Sequence, residues 1–262
     1  MLIEAAVITD VGRLRLKNED NFFLLDTYKG LTQSRCQKVY RSSGAPFQVY
    51  AVMDGMGGMK KGEAASLRAA QTLSRFIWTK EKDACISCVR ALNQAVCDLH
   101  ESAGESGTTL ALLCVDGRKI QICNVGDSRI YRYWAGRLEL LTHDHTLAQQ
   151  RLDMETKGFF RSRARGKVQE AGEGRHLLTQ YLGIPPKEML IEPYQARERK
   201  VKSGELYLLC TDGLTGMVPE QEMLACLKGN GGVKEKTERL VEAALGNGGE
   251  DNVTVMLVEI KA

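Results

Sequence analysis

Apolar blocks broken by short polar stretches divide the chain into many strands and a few amphipathic helices. Apolar runs at 2–9, 21–26 and 47–53 predict strands, and the polar stretch 33–46 ahead of the third reads as a loop. Residues 63–78 and 83–103 carry apolar positions at three- and four-residue spacing, the second through Ile86, Val89, Leu92, Val96 and Leu99, and predict two helices. Three strands follow in quick succession at 108–115, 119–124 and 128–134. Asp116-Gly117 joins the first two across a tight turn, and Ala135-Gly136 turns the third into 137–141. From 144 to 200 the chain is polar, with a helical start at 146–156 and little pattern from 158 to 174, and reads as an excursion from the core. Order returns with a strand at 205–210, helices at 219–227 and 234–245, and a last strand at 253–260. No internal repeat and no low-complexity linker appears.

Composition narrows the class. A chain of 262 residues with 43% apolar content can fill a substantial core. The net charge is only +3, and basic residues are spread out apart from a cluster at Arg161, Arg163, Arg165 and Lys167, so nucleic-acid binding is not indicated. The opening residues carry Glu4 and no basic region ahead of an apolar block, which reads as a first strand rather than a signal peptide, and no apolar run reaches membrane-spanning length. The 8 cysteines fall mostly inside apolar patterns and read as small buried hydrophobes of a reducing compartment. Cys85 and Cys88 form a CxxC pair with no second pair and no suitably spaced histidines, which argues against zinc there.

Chemistry concentrates at strand ends. The run from Val49 to Met53 stops at Asp54-Gly55-Met56-Gly57-Gly58, where a carboxylate is delivered to a strand end and glycines allow a sharp turn and a close approach to a ligand. An Asp-Gly turn accounts for the same residues. A second apolar strand ends in Asp212-Gly213, and Asp251 immediately precedes a third. If those strands are neighbours, Asp54, Asp212 and Asp251 converge, and clustered carboxylates need a cation to hold them. Oxygen-only donors favour magnesium or manganese over zinc, and two such ions can activate water against a phosphoryl centre. Near the amino terminus, 9–20 is rich in charge, and its Arg15 is able to clamp a phosphate through paired hydrogen bonds, although a solvated loop would read the same way.

Together these pieces form an ordered series. Asp10-x-Gly12-x-x-Arg15-x-x-Asn18-Glu19-Asp20, the Asp54 motif, Gly107-Thr108-Thr109, Gly126-Asp127-Ser128-Arg129-x-Tyr131, Leu141-Thr142-x-Asp144-His145, Thr211-Asp212-Gly213 and Asp251-Asn252-Val253-Thr254 follow one another along nearly the whole chain. The series resembles the metal-dependent Ser/Thr protein phosphatases, the PPM or type 2C family, in their bacterial form. The resemblance implies an α+β fold, a four-layer αββα sandwich of two antiparallel sheets flanked by helices, spanning 1–262 as one catalytic domain with a flap at about 146–183. It implies two Mn2+ or Mg2+ ions per site: Asp54 bridging both, the Gly55 carbonyl on one, Asp212 and Asp251 on the other. It further implies that Glu19 and Asp20 orient metal-bound waters, that Arg15 holds the substrate phosphate, and that Asn252 and Thr254 support the Asp251 loop. Asp127 sits where bacterial members place a ligand for a third, weaker metal shared with Asp212; a turn residue ahead of a strand is the alternative.

The activity implied is hydrolysis of phosphoserine and phosphothreonine by a water activated between the metals, without a phosphoenzyme. Partners implied are phosphorylated proteins and a cognate Ser/Thr kinase, with a monomeric, cytoplasmic enzyme and no nucleic acid or membrane. Two features depart from parts of the family. Met56 stands where some eukaryotic members have a histidine proposed as general acid, and a thioether has no such proton; His145, near in motif order, reads better as a structural hydrogen-bonding residue. Arg175-His176 also replaces the approach usual before the Leu-Thr-x-x-Leu-Gly element, whose end, Leu178 to Gly183, is intact. A catalytically weak regulatory or binding module of the same fold, or a phosphatase of a non-protein phosphoester, are the competing functions; the first should lack a metal acid, and none of Asp54, Asp212 or Asp251 is missing.

Overall fold

Strands buried on both faces account for the continuous apolar runs: in Leu2–Asp10, Ile3, Ala5 and Val7 point into one apolar layer while Ala6 and Ile8 point into another. The computed structural model describes residues 1–43, 47–56, 61–81, 83–100, 105–156 and 177–261. Its elements are β1 (Leu2–Asp10), β2 (Asn21–Leu24), β3 (Arg35–Ser43), β4 (Phe47–Met53), α1 (Gly62–Leu73), α2 (Ala84–Cys97), β5 (Leu110–Asp116), β6 (Lys119–Val125), β7 (Arg129–Trp134) and β8 (Arg137–Leu140). They continue with α3 (Leu147–Thr156), β9 (Tyr194–Lys200), β10 (Leu206–Cys210), α4 (Asp212–Thr215), α5 (Glu220–Lys228), α6 (Val233–Gly246) and β11 (Val253–Lys261).

The strands form two antiparallel sheets, ordered β3-β1-β11-β10-β7-β8 and β2-β4-β5-β6-β9. Three apolar layers hold them. Between the sheets lie Val7, Tyr50, Val52, Leu113, Tyr207 and Met256. On the outer face of the five-stranded sheet, Ala65, Ala69 and Leu73 of α1 and Cys88, Val89 and Leu92 of α2 cover Ala51, Met53 and Leu112. On the outer face of the other sheet, Leu214, Met223, Leu240 and Val241 cover Ile8, Leu208 and Leu257. The result is an α+β sandwich with helices on both outer faces. The eight cysteines are free, and most are buried in these layers. Among the described residues, no helix is long and apolar enough to cross a membrane.

Two stretches that the hydrophobic pattern assigns to loop are strands. Within 33–46, Arg35–Ser43 pairs with β1 from Leu2↔Ser43 to Asp10↔Arg35. It is an edge strand on which, among the residues whose burial is described, only Cys36 is buried and Arg35, Gln37, Lys38, Val39, Tyr40 and Arg41 are exposed, so backbone pairing holds it without an apolar alternation to announce it. Within the 144–200 excursion, Tyr194–Lys200 closes the edge of the second sheet against β6, again with no side chain fully buried. The helix expected over 63–78 stops at Leu73; Phe76 and Trp78 instead turn back, ring centroids 5.1 Å apart, and pack on the α1/α2 layer. Gly57, Gly58, the basic cluster at Arg161, Arg163, Arg165 and Lys167, and Arg175-His176 lie outside the described residues.

Candidate active site

One end of the sandwich collects the acids. Asp54 follows β4, Asp127 follows β6, Asp212 opens α4 just after β10, and Asp251 precedes β11. Glu19 and Asp20 precede β2, whose Asn21 pairs with Met53 beside Asp54. Antiparallel neighbours bring these ends together: Thr9 lies opposite Thr254, and Cys210 opposite Val255.

The backbone under Asp54 is fixed by the Gly107-Thr108-Thr109 segment. Thr109 Oγ1 accepts from the Asp54 amide at 2.9 Å, while the Asp54 carbonyl accepts from Thr108 Oγ1 at 2.8 Å and from the Thr109 amide at 2.9 Å. Next to it, a Cβ on Gly55 would stand 2.4 Å from the Gly62 carbonyl oxygen and 2.5 Å from that of Glu19. Only glycine lets the start of α1 and the Glu19 loop close on this turn. Ser66 Oγ, from α1, donates to the same Glu19 carbonyl at 2.6 Å.

The loop carrying Arg15 is fastened to the loop carrying Asp251 by Asn252. Its Nδ2 donates to the carbonyls of Val11 and Lys17, both at 2.8 Å, and its Oδ1 accepts the Glu19 amide at 2.7 Å. The Arg13 amide adds a bond to the Gly249 carbonyl at 2.7 Å. Arg15 itself places Nη2 2.7 Å from Asp251 Oδ2 and remains about half exposed, with a side-chain accessibility of 46%. That bond raises the guanidinium's already high pKa.

Crowded carboxylates carry the electrostatic signature of a cation site. Burial, then the negative charges of Asp20, Asp212 and Asp127, hold Asp54 well above the usual carboxylate range, and it shares a hydrogen bond with Asp212. Burial and Asp212 raise Asp127 to about 7. Burial raises Asp20 to about 7, against the lowering effect of hydrogen bonds from Thr254 and Thr211. Glu19 is likewise raised to about 7 by burial and by a hydrogen bond with Glu63. Among the described residues no three His, Cys, Asp or Glu side chains stand as a ready-made metal cage. The acids are held instead by shared hydrogen bonds and by Arg15. The donor set fits a hard divalent cation all the same: it is carboxylate and carbonyl oxygen throughout. Asp20 Oδ1, moreover, is buried with no hydrogen-bond partner among the described residues.

Lys29 went unmarked by the sequence, whereas Arg129, Asp144, His145 and Leu182 stand in its motifs. Lys29 is 1% exposed and donates through Nζ to the Asn18 carbonyl at 2.7 Å; burial lowers its pKa, against the raising effect of Asp20. Arg129 clamps Asp144 through Nε at 3.0 Å and Nη2 at 2.6 Å, fixing the turn behind Asp127. His145 lies in that turn; its Nδ1 accepts the Gly126 amide at 3.2 Å, and burial lowers its pKa. Leu182 exchanges backbone bonds with Thr108 at 2.8 and 3.0 Å, which brings the Leu178-Thr179-x-x-Leu182-Gly183 element against the Asp54 turn.

A double sheet with helices on both outer faces, and an oxygen-only acid cluster at one end of it beside an arginine, has the build of a metal-dependent phosphohydrolase. The sequence matches the protein phosphatase 2C family over residues 32–250. The chain belongs to that family, and with it to the metal-dependent Ser/Thr protein phosphatases. It is 31% identical over 271 residues to the serine/threonine phosphatase stp of Listeria welshimeri, covering 96% of this chain and 93% of that protein. Among solved structures it is similar to the serine/threonine phosphatase PstP/Ppp of Mycobacterium tuberculosis, with a TM-score of 0.76 at 28% identity over 100% of both chains. The PstP catalytic domain solved with 2 manganese ions superposes equally well, with a TM-score of 0.76 at 29% identity over 100% of each chain.

Proposed function

We propose that the site hydrolyses phosphoserine and phosphothreonine in protein substrates, with Mn2+ or Mg2+ held by Asp54, the Gly55 carbonyl, Asp212 and Asp251. Asp54 would bridge two ions, and Asp127, which faces Asp212, would share a third with it. The observation that carries the reading is the convergence of these acids at one sandwich end, in the order that the family's motifs follow. When bound, the ions lower the pKa of water and neutralise phosphoryl oxygens. Glu19 and Asp20 orient water next to them. Arg15 uses one of its five N–H donors on Asp251, and the others, with no hydrogen-bond partner among the described residues, can take phosphate oxygens in the geometry that guanidinium suits. Met56 offers no proton, so the leaving alkoxide takes one from water.

Protein rather than small-metabolite substrate is supported by the surface around Arg15. Leu14 and Leu16, on either side of it, are 69% and 100% exposed on a loop that Asn252 holds in place. A peptide carrying the phosphorylated residue would cover them; a small phosphoester would not. A cytoplasmic monomer acting opposite a cognate Ser/Thr kinase completes the proposal.

The test is hydrolysis of p-nitrophenyl phosphate and of a phosphothreonine peptide, with and without manganese, by the native chain and Asp212→Asn. Manganese-dependent turnover of both, lost in the variant, is the expected result. Absence of turnover in folded, manganese-loaded protein would favour a binding or regulatory module instead. A strong preference for the small ester over every phosphopeptide would overturn the substrate class alone.

A further inference from the structure

Asp20 is held by a file of buried threonines, one from each of three neighbouring strand ends. Thr9 lies next to the last residue of β1, Thr211 follows β10 and Thr254 lies in β11; all three, and Asp20, are 0% exposed. Asp20 Oδ2 lies 2.8 Å from Thr211 Oγ1 and 2.7 Å from Thr254 Oγ1. Thr254 Oγ1 lies 2.8 Å from Thr9 Oγ1, which accepts Asn18 Nδ2–H at 2.9 Å. Thr211 Oγ1 in turn accepts the Thr254 amide at 3.0 Å.

Each hydroxyl has one hydrogen to give, so the arrangement can be counted out. Thr9 takes the Asn18 hydrogen, and the Thr254 hydroxyl, within reach of both Thr9 Oγ1 and Asp20 Oδ2, has one hydrogen, which it gives to Asp20. Thr211 takes the Thr254 amide hydrogen and gives its own to Asp20. The Thr211 and Thr254 hydroxyl hydrogens then converge on one carboxylate oxygen. Asp20 Oδ1 is left buried with no hydrogen-bond partner among the described residues. A carboxylate with one oxygen pinned twice cannot rotate to hide the other, and a buried acceptor left orphaned is costly unless something meets it.

We propose that Thr211 and Thr254, backed by Thr9, are positioning residues for the metal centre: they lock Asp20 so that Oδ1 faces the acid cluster and meets a bound cation or its water. The proposal rests on the metallophosphatase reading of the site. It differs from a purely structural role in what the hydroxyls are for. In a structural role they satisfy one another; in a positioning role their loss shows in metal affinity.

The test uses the metal-stripped chain titrated with Mn2+ alone by calorimetry, for the native protein, Thr254→Val, Thr211→Val and Thr254→Ser, each also melted without metal. Valine keeps the shape and removes the hydrogen; serine keeps the hydrogen. Loss of partners one shell out from a metal typically lowers affinity ~10–100-fold. Each valine variant should show a loss of that size, and serine should recover most of it, out of proportion to any change in the metal-free melting temperature. Native Mn2+ affinity in both valine variants overturns the proposal, as does failure of both to fold, which would make the file structural. If the native chain itself binds no Mn2+, the metallophosphatase reading falls and this proposal falls with it.

Discussion

Gly213→Ala should separate the two strand ends that carry Asp212 and Asp251. A Cβ built on Gly213 would stand 1.9 Å from the Asn252 carbonyl oxygen and 2.8 Å from its carbon, both backbone atoms with no rotamer to retreat into. Reaching an ordinary contact of 3.4 Å requires about 1.5 Å of movement between α4 and the 251–252 turn. Overpacking of this kind costs ~1–3 kcal/mol, and a backbone-on-backbone clash belongs at the upper end. The turn that must move is the one Asn252 ties to Val11, Lys17 and Glu19, so displacement spreads to the Arg15 loop. Metal ligand distances tolerate only ~0.2 Å. Misplacing groups by ~1 Å can cost ~100-fold in rate. Manganese titration, p-nitrophenyl phosphate kinetics and a urea melt on Gly213→Ala should therefore show weakened metal binding and a kcat/KM down ~100-fold, with only a few kcal/mol of stability lost. Turnover within twofold of the native chain at equal stability would show that the two turns move independently, and the reasoning would be wrong.

Three further outcomes are expected. Arg15→Ala removes charge-assisted bonds worth ~1.5–3 kcal/mol, so KM for a phosphopeptide should rise ~10–100-fold while thermal stability barely changes, because its ion pair is half exposed; an unchanged KM would remove Arg15 from the phosphate site. Asn252→Ala deletes three bonds at 2.7–2.8 Å and should cost ~2–4 kcal/mol in a urea melt, together with weaker manganese binding; a loss under 1 kcal/mol would mean the two loops hold without it. Glu205→Ala, at the opposite end of β10, strips Arg132, Arg199 and Tyr207 of a fully buried partner and should destabilise by ~3–5 kcal/mol while the kcat of the folded fraction stays native; a fall in kcat would refute the independence of the two ends.

How much of this could be read from the sequence depended on which side of the core a residue serves. Central strands such as Phe47–Met53 and Val253–Lys261 are buried on both faces and announce themselves as apolar runs. Arg35–Ser43 and Tyr194–Lys200 are edge strands whose energy comes from backbone ladders, which leave no trace in side-chain pattern. The acids at strand ends were legible because carboxylates following apolar runs are unusual, and their order along the chain carried the family. The role of the Thr9 and Thr211 hydroxyls was not: Thr211 stood only as part of a motif and Thr9 as part of an apolar run, and depth beside Asp20 is what distinguishes them. Lys29 was equally hidden: lysine is read as surface until a fold shows it beneath one.

The register of β1 with β11, from Leu2↔Lys261 to Asp10↔Val253, has a consequence for biosynthesis. Asp54 and Asp127 are translated long before Asp251, yet Asp251, Asn252 and the Thr254 hydroxyl reach their partners only when the chain's last strand slots between β1 and β10. A nascent polypeptide that has not yet released Val253–Lys261 therefore holds its first strand without that neighbour, and Asp54 and Asp127 without Asp251 beside them. Phosphatase activity in such a chain would switch on in a single late step, after synthesis of the last strand, rather than grow as the domain emerges.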